Sequence, residues 1–146
     1  MKISFRRHKV DKPKINYGKT RKWLERVIRD NQKTIGEITI FFCNDEYILE
    51  MNQKYLNHDY CTDILTFDYS TNNIISGDLL ISTETVQYNA IKYKTQLPTE
   101  LSRVVVHGVL HLLGFDDKTT NQQKIMRDRE DWYLNILESV TDVRKL

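Results

Sequence analysis

Two histidines four residues apart, His107 and His111, lie in the segment HGVLHLLGFDD, residues 107–117. On a helix an i,i+4 pair projects from one face, so both imidazoles can converge on a single ion. Gly114 is placed to end that helix, and its tolerance of positive φ lets the backbone turn sharply. The turn can bring Asp117 back as a third ligand, with Asp116 competing for the same role. Three protein ligands leave tetrahedral Zn2+ an open position, which is the pattern of a catalytic rather than a structural site. An ion held in this way lowers the pKa of water and polarises a phosphoryl or carbonyl oxygen. The alternative is a hydrogen-bonded core histidine pair followed by an aspartate that caps the next helix. The turn glycine and the following acid together favour metal.

A zinc peptidase of the HExxH type carries its general base directly after the first histidine. Here that position is Gly108, which cannot abstract a proton. Hydrolysis by an activated water stays open, while peptide cleavage loses its base. Further groups that could handle protons or phosphate are Asp68, Asp116 and His58, and Asp63 and Asp68 flank a strand beginning at Thr62. Gly77 in the next strand marks a possible close approach of backbone or ligand.

These residues need a scaffold, and the periodicities supply one. Ile3 and Phe5 alternate with polar neighbours and predict a first strand; residues 19–31 place Trp23, Leu24, Val27 and Ile28 at helical spacing. Residues 37–43 read as a short apolar strand, followed by a helix capped by Asn44 or Asp45 that turns Ile48, Leu49 and Met51 inward and ends near Asn57. Strands follow at 62–69 and 74–81 around the turn signal 70–73. Ser82 or Thr83 opens a helix bearing Val86, Ala90 and Ile91. Pro98 and Thr99 introduce the histidine helix, expected over residues 100–113. A capping box, Thr119 with Gln122 or Thr120 with Gln123, starts a last helix bearing Ile125, Met126, Trp132, Ile136 and Leu137. The class is α+β: residues 1–146 as one compact domain, a sheet with helices packed against it.

Composition agrees. An apolar fraction of 40% over 146 residues supports a core without disulfides, and Gly and Pro are too scarce for a fibrous or low-complexity chain. Cys43 and Cys61 are expected as reduced, partly buried thiols. No stretch approaches a membrane span and the start MKISFRRHKV lacks the apolar region of a secretory signal, so a cytoplasmic protein with no membrane partner is expected. The net charge of +2 conceals a division: residues 1–35 carry 12 Lys/Arg against three acids, net +9, and the rest carries 10 against 17, net −7. A basic N-terminal third can collect a polyanion, but from charge alone a solvated strand edge and helix outer face is the preferred reading.

Taken together, these segments resemble the YbeY family of bacterial zinc-dependent endoribonucleases. HGVLHLLGFDD is similar to the family signature HGxLHLxGxDH, TDILTF at 62–67 to TDVLSF, and GDLLIS at 77–82 to GDIxIS, in family order and over nearly the whole chain. The resemblance implies a mixed sheet of about four strands beside a zincin-like metal helix, and one Zn2+ or another divalent transition ion. It further implies cleavage of single-stranded RNA, a role in maturing the 3′ end of 16S rRNA from its precursor and in ribosome quality control, and partners on the small ribosomal subunit. His107 and His111 match the first two family ligands. Asp117 falls where the third histidine stands, and this match selects it over Asp116. In MNQKYLNHDYCTD, residues 51–63, Leu56 occupies the position of an arginine expected to serve the active site. Leucine cannot bind phosphate. Either His58, Arg103 or a residue of the basic N-terminal region then compensates, or nuclease activity is weaker. A non-catalytic, zinc-stabilised ribosome-assembly factor binding RNA or protein is the alternative function.

Overall fold

The computed structural model describes residues 2–58 and 62–146. Cys61, expected as a partly buried thiol, lies outside the described residues. Four strands, β1 (Lys2–Arg7), β2 (Thr34–Cys43), β3 (Ile64–Asp68) and β4 (Ile74–Ser82), form one sheet in the order β1-β2-β4-β3. β1 and β4 run parallel to β2, and β3 runs antiparallel to β4, so the sheet is mixed. Among the described residues five α-helices accompany it, α1 (Tyr17–Asp30), α2 (Asp45–Leu56), α3 (Thr83–Lys92), α4 (Leu97–Leu112) and α5 (Thr120–Ser139), with a 3-10 turn at Val143–Lys145.

Strand alternation sorts the core into two faces. Ile38, Ile40 and Phe42 of β2 and Ile75, Leu79 and Ile81 of β4 join the large cluster with Trp23, Val27 and Ile28 of α1 and the apolar residues of α4. Cys43, Leu65 and Leu80 point the other way and meet Ile48 of α2, with Met51 packed alongside. Cys43 is buried completely rather than partly. Burial, with the charge of Asp45, pushes its thiol pKa up to about 12.

Local chemistry sets the boundaries. Asn44, Ser82 and Thr119 each accept a backbone N–H as N-caps, and the capping box uses Thr119 with Gln122. Asn57 takes the left-handed conformation that ends α2. Several expectations shift. β2 begins at Thr34 because Thr34 and Ile35 already pair with Ile74 and Ile75, before an irregularity that precedes Ile38. The histidine helix begins at Leu97, with Pro98 in the first turn, where its missing N–H is no loss. Ile91, Ile125 and Trp132 are exposed at 74%, 42% and 60% rather than packed inward. The buried stripe of α5 is instead Met126, Glu130, Tyr133 and Leu134, and Trp132 falls about 100° round the helix from Tyr133. Trp23 Nε1 donates to Tyr133 O at 2.7 Å and fastens α1 to α5. Among the described residues no helix is long and apolar enough to cross a membrane.

Candidate metal centre

α4 is enclosed on nearly every side. From Glu100 to Leu112 its side chains are buried apart from Arg103, His107 and His111, which are half-buried. Their i,i+4 spacing gathers them, with Thr99 before them, into one open stripe. At the end of the helix Gly114 adopts φ +101°, Gly114 N donates to His111 O at 3.0 Å and Phe115 N to Leu110 O at 3.0 Å. This pair of bonds is a Schellman termination, which reverses the chain and returns Asp117 toward the helix.

The return places Asp117 Oδ2 3.4 Å from Nε2 of His107 and 3.4 Å from Nε2 of His111, with the two nitrogens 3.0 Å apart. Bonds of about 2.0–2.1 Å to a tetrahedral ion separate neighbouring ligand atoms by roughly 3.3 Å, so the triangle has the dimensions such an ion requires. The cluster is capable of coordinating a metal. It opens into a cavity of about 390 Å³ walled by Thr62, Asp63, Ile64 and Thr66.

His107 is held from behind. Its Nδ1 lies 2.6 Å from Oε2 of Glu130, which is only 5% exposed, and Arg103 Nη1 donates to the other Glu130 oxygen at 2.9 Å. Arg103 Nη2 donates to Asp131 at 2.6 Å. A proton on Nδ1 shared with Glu130 leaves the Nε2 lone pair facing the cluster, the arrangement that orients a metal-binding imidazole. Burial opposes protonation of His107. The hydrogen bond and charge of Glu130, with Asp117 and Asp63, outweigh it and raise the pKa above the ordinary histidine value. Sequence reasoning missed Glu130. Its signal was an acid on the apolar stripe of α5, four residues after Met126 and three before Tyr133.

The other site expectations separate clearly. Asp63 lines both cavities that meet at the cluster. Asp68, Asp116 and His58 line neither: Asp68 is exposed and accepts Ser70 N at 2.9 Å, Asp116 is exposed beside Asp117, and His58 is exposed beyond α2. Leu56, 40% exposed on the last turn of α2, also lies outside both linings. Arg103 does reach the site, but both of its donor arms are committed to carboxylates.

Gly108 faces the sheet. A Cβ there would come within 2.7 Å of Ile64 Cδ1 and 2.9 Å of Leu79 Cδ1, so the position lacks room for a glutamate as well as lacking one. Gly77 marks a close approach of protein rather than ligand, since a Cβ would meet Phe67 O at 2.5 Å and Leu112 Cδ2 at 2.8 Å.

Comparison with known proteins agrees with this geometry. Residues 4–138 match the family model described as endoribonuclease YbeY. Endoribonuclease YbeY of Azobacteroides pseudotrichonymphae is 46% identical over 127 residues, covering 87% of this chain and 91% of its own length. That of Bacteroides fragilis is 44% identical over 131 residues, covering 90% and 94%. The solution structure of a Thermotoga maritima protein shares the fold, with a TM-score of 0.65 at 23% identity, over 92% of this chain and 88% of that one. A match across most of the chain, together with relatives 44% and 46% identical over nearly their whole length, places the chain in the YbeY family of endoribonucleases.

Proposed function

We propose that the protein is a zinc-dependent endoribonuclease that cleaves single-stranded RNA. Its role lies in maturation of the 16S rRNA 3′ end and in ribosome quality control, in the cytoplasm and in contact with the small ribosomal subunit. The observation that carries the reading is the convergence of His107, His111 and Asp117 at an open cavity, with His107 pinned by Glu130. The relatives' shared designation as endoribonucleases supports the substrate class.

His107 and His111 contribute neutral imidazole nitrogens and Asp117 a carboxylate oxygen, a donor set suited to Zn2+. A zinc ion bound there supplies Lewis acidity toward a phosphoryl oxygen and acidifies water. Asp117 offsets part of that charge, so replacing it by histidine moves the acid limb of the pH–rate profile to lower pH. Glu130 fixes the tautomer of His107, and Arg103 fixes Glu130. Asp63 lines both cavities beside the cluster, and in this reading it is the carboxylate that accepts the proton of the nucleophile. The nucleophile is either water or the adjacent 2′-hydroxyl. A 2′,3′-cyclic phosphate among the early products identifies the hydroxyl, and its absence identifies water.

A zinc-stabilised assembly factor without catalysis is the rival reading, and the exposure of the cluster to a cavity weighs against it, since structural zinc sites are closed. The deciding experiment is cleavage of a defined single-stranded RNA by metal-quantified wild type and His111→Ala. Loss of cleavage with fold and RNA binding retained supports the enzyme. Joint loss of folding and binding supports the structural ion.

A further inference from the structure

A second cavity, about 660 Å³, adjoins the metal cluster and shares Asp63, His107 and Asp117 with it. One wall is α4, where Glu100, Arg103, Val104 and His107 follow one another along the groove. Seven residues of helix advance about 10 Å, so the groove leads away from the metal centre by more than the length of a base. Its volume is that of a small-molecule site rather than of a single water-filled crevice. The opposite walls come from the end of α3, with Asn89, Tyr93 and Thr95, and from α5, with Gln123, Met126 and Arg127.

Two of these side chains carry groups suited to a nucleotide. Tyr93 is 58% exposed although it is a large aromatic, and the ammonium of Lys92 lies 5.4 Å from its ring centroid. Arg127 is exposed and makes no ion pair among the described residues, in contrast to Arg103, whose guanidinium is held by Glu130 and Asp131. An aromatic ring and a guanidinium without an ion pair, lining one polar groove from the end of α3 and from α5, are the pair that a single-stranded nucleotide uses, base on ring and phosphate on cation. Asn89 and Gln123 add amide groups that can reach a base edge.

We infer that this groove is the RNA subsite next to the cleavage position, with Tyr93 stacking the nucleobase and Arg127 binding its phosphate. The inference rests on the endoribonuclease reading and deepens it. It also supplies the cation that Leu56 lacks, from α5 rather than from α2. Stacking and one phosphate contact act on substrate binding, so their loss appears in KM and in affinity more than in kcat.

The test uses a labelled single-stranded RNA oligonucleotide, its counterpart with one abasic position scanned along it, and full-length wild type, Tyr93→Ala, Tyr93→Phe and Arg127→Ala. Cleavage kinetics are measured on wild type and these variants, and anisotropy binding in a His111→Ala background. Tyr93→Ala is expected to weaken binding about 5- to 150-fold, the range of one base stacked on an aromatic. Tyr93→Phe restores it. An abasic site at one position causes no further loss in Tyr93→Ala. Arg127→Ala lowers the slope of log affinity against log salt by about 0.7, the value for one phosphate on a single strand. Unchanged KM and affinity in both alanine variants of a wild type that cleaves overturns the subsite and leaves the endoribonuclease reading standing. Failure of wild type to cleave overturns that reading instead, while the anisotropy comparison still decides whether the groove binds RNA.

Discussion

Glu130 is the residue on which the geometry of His107 depends, and Glu130→Gln perturbs it at nearly constant volume. The carboxylate accepts from His107 on one oxygen and from Arg103 on the other. A glutamine has one oxygen and one NH2, so in either orientation an amide donor faces an N–H donor. Loss of an orienting partner behind a metal-binding histidine costs about 10- to 100-fold in affinity, or roughly 1.4–2.7 kcal/mol. Removing one member of a fully buried ion pair costs about 3–5 kcal/mol in stability. Here the Arg103 side chain is 20% exposed and keeps Asp131, which brings the expectation to about 2–3 kcal/mol. The sign of the pH dependence follows from the raised pKa of His107. Its contact with Glu130 stabilises the zinc-free protein fully below the unfolded imidazole pKa of about 6.5, and the contribution is lost as pH rises through the higher folded value. Glu130→Gln therefore destabilises the zinc-free protein more at about pH 5.5 than at about pH 9. Zinc affinity of wild type begins to fall on acidification above the ordinary histidine range, and in Glu130→Gln that onset moves to lower pH. Competitive titration against a chromophoric chelator, with thermal melts of the zinc-free protein, reads both effects. A zinc Kd within twofold of wild type would refute the reasoning.

Gly108→Ala forces a Cβ against Ile64 and Leu79. Overpacking of this kind costs about 1–3 kcal/mol, seen as a Tm lower by roughly 3–8 °C; an unchanged Tm would show that α4 lifts from the sheet without cost. The Cys43 thiol, buried and raised to about 12, is expected to resist alkylation at neutral pH in the native state and to react on unfolding. Peptide mapping after a timed alkylation checks this, and rapid native labelling of Cys43 would contradict it. Asp117→Ala removes one of the three converging donors and is expected to weaken zinc binding more than Glu130→Gln does, measured by the same chelator competition; the reverse order would place the third ligand elsewhere.

The parts of the site legible in the sequence are those encoded locally. His107 and His111 share a face by spacing alone, and Gly114 announces the turn that returns Asp117, so three donors emerge from eleven residues. Strand alternation likewise exposes the two faces of β2 and β4. What the sequence hides is contact between distant elements. Glu130 touches His107 across 23 positions, and its acid on an apolar stripe reads as an ordinary surface residue until α5 is docked on α4. The choice between Asp63 and Asp68 depends on where β3 meets the end of α4, which strand periodicity does not contain. Trp132 shows the same limit: hydrophobicity favours it for the core, while the helix phase set by Met126 and Leu134 turns Tyr133 inward. Gly108 offers no base, and packing against Ile64 and Leu79 supplies the reason no side chain stands there.

The central claim, that an ion held by His107, His111 and Asp117 performs RNA cleavage, is tested most directly by returning zinc stepwise to metal-free wild type while recording occupancy and cleavage of one single-stranded RNA together. The account predicts that cleavage rises in proportion to occupancy and saturates at one ion per chain. Full cleavage by the metal-free protein, or full occupancy without cleavage, would contradict it.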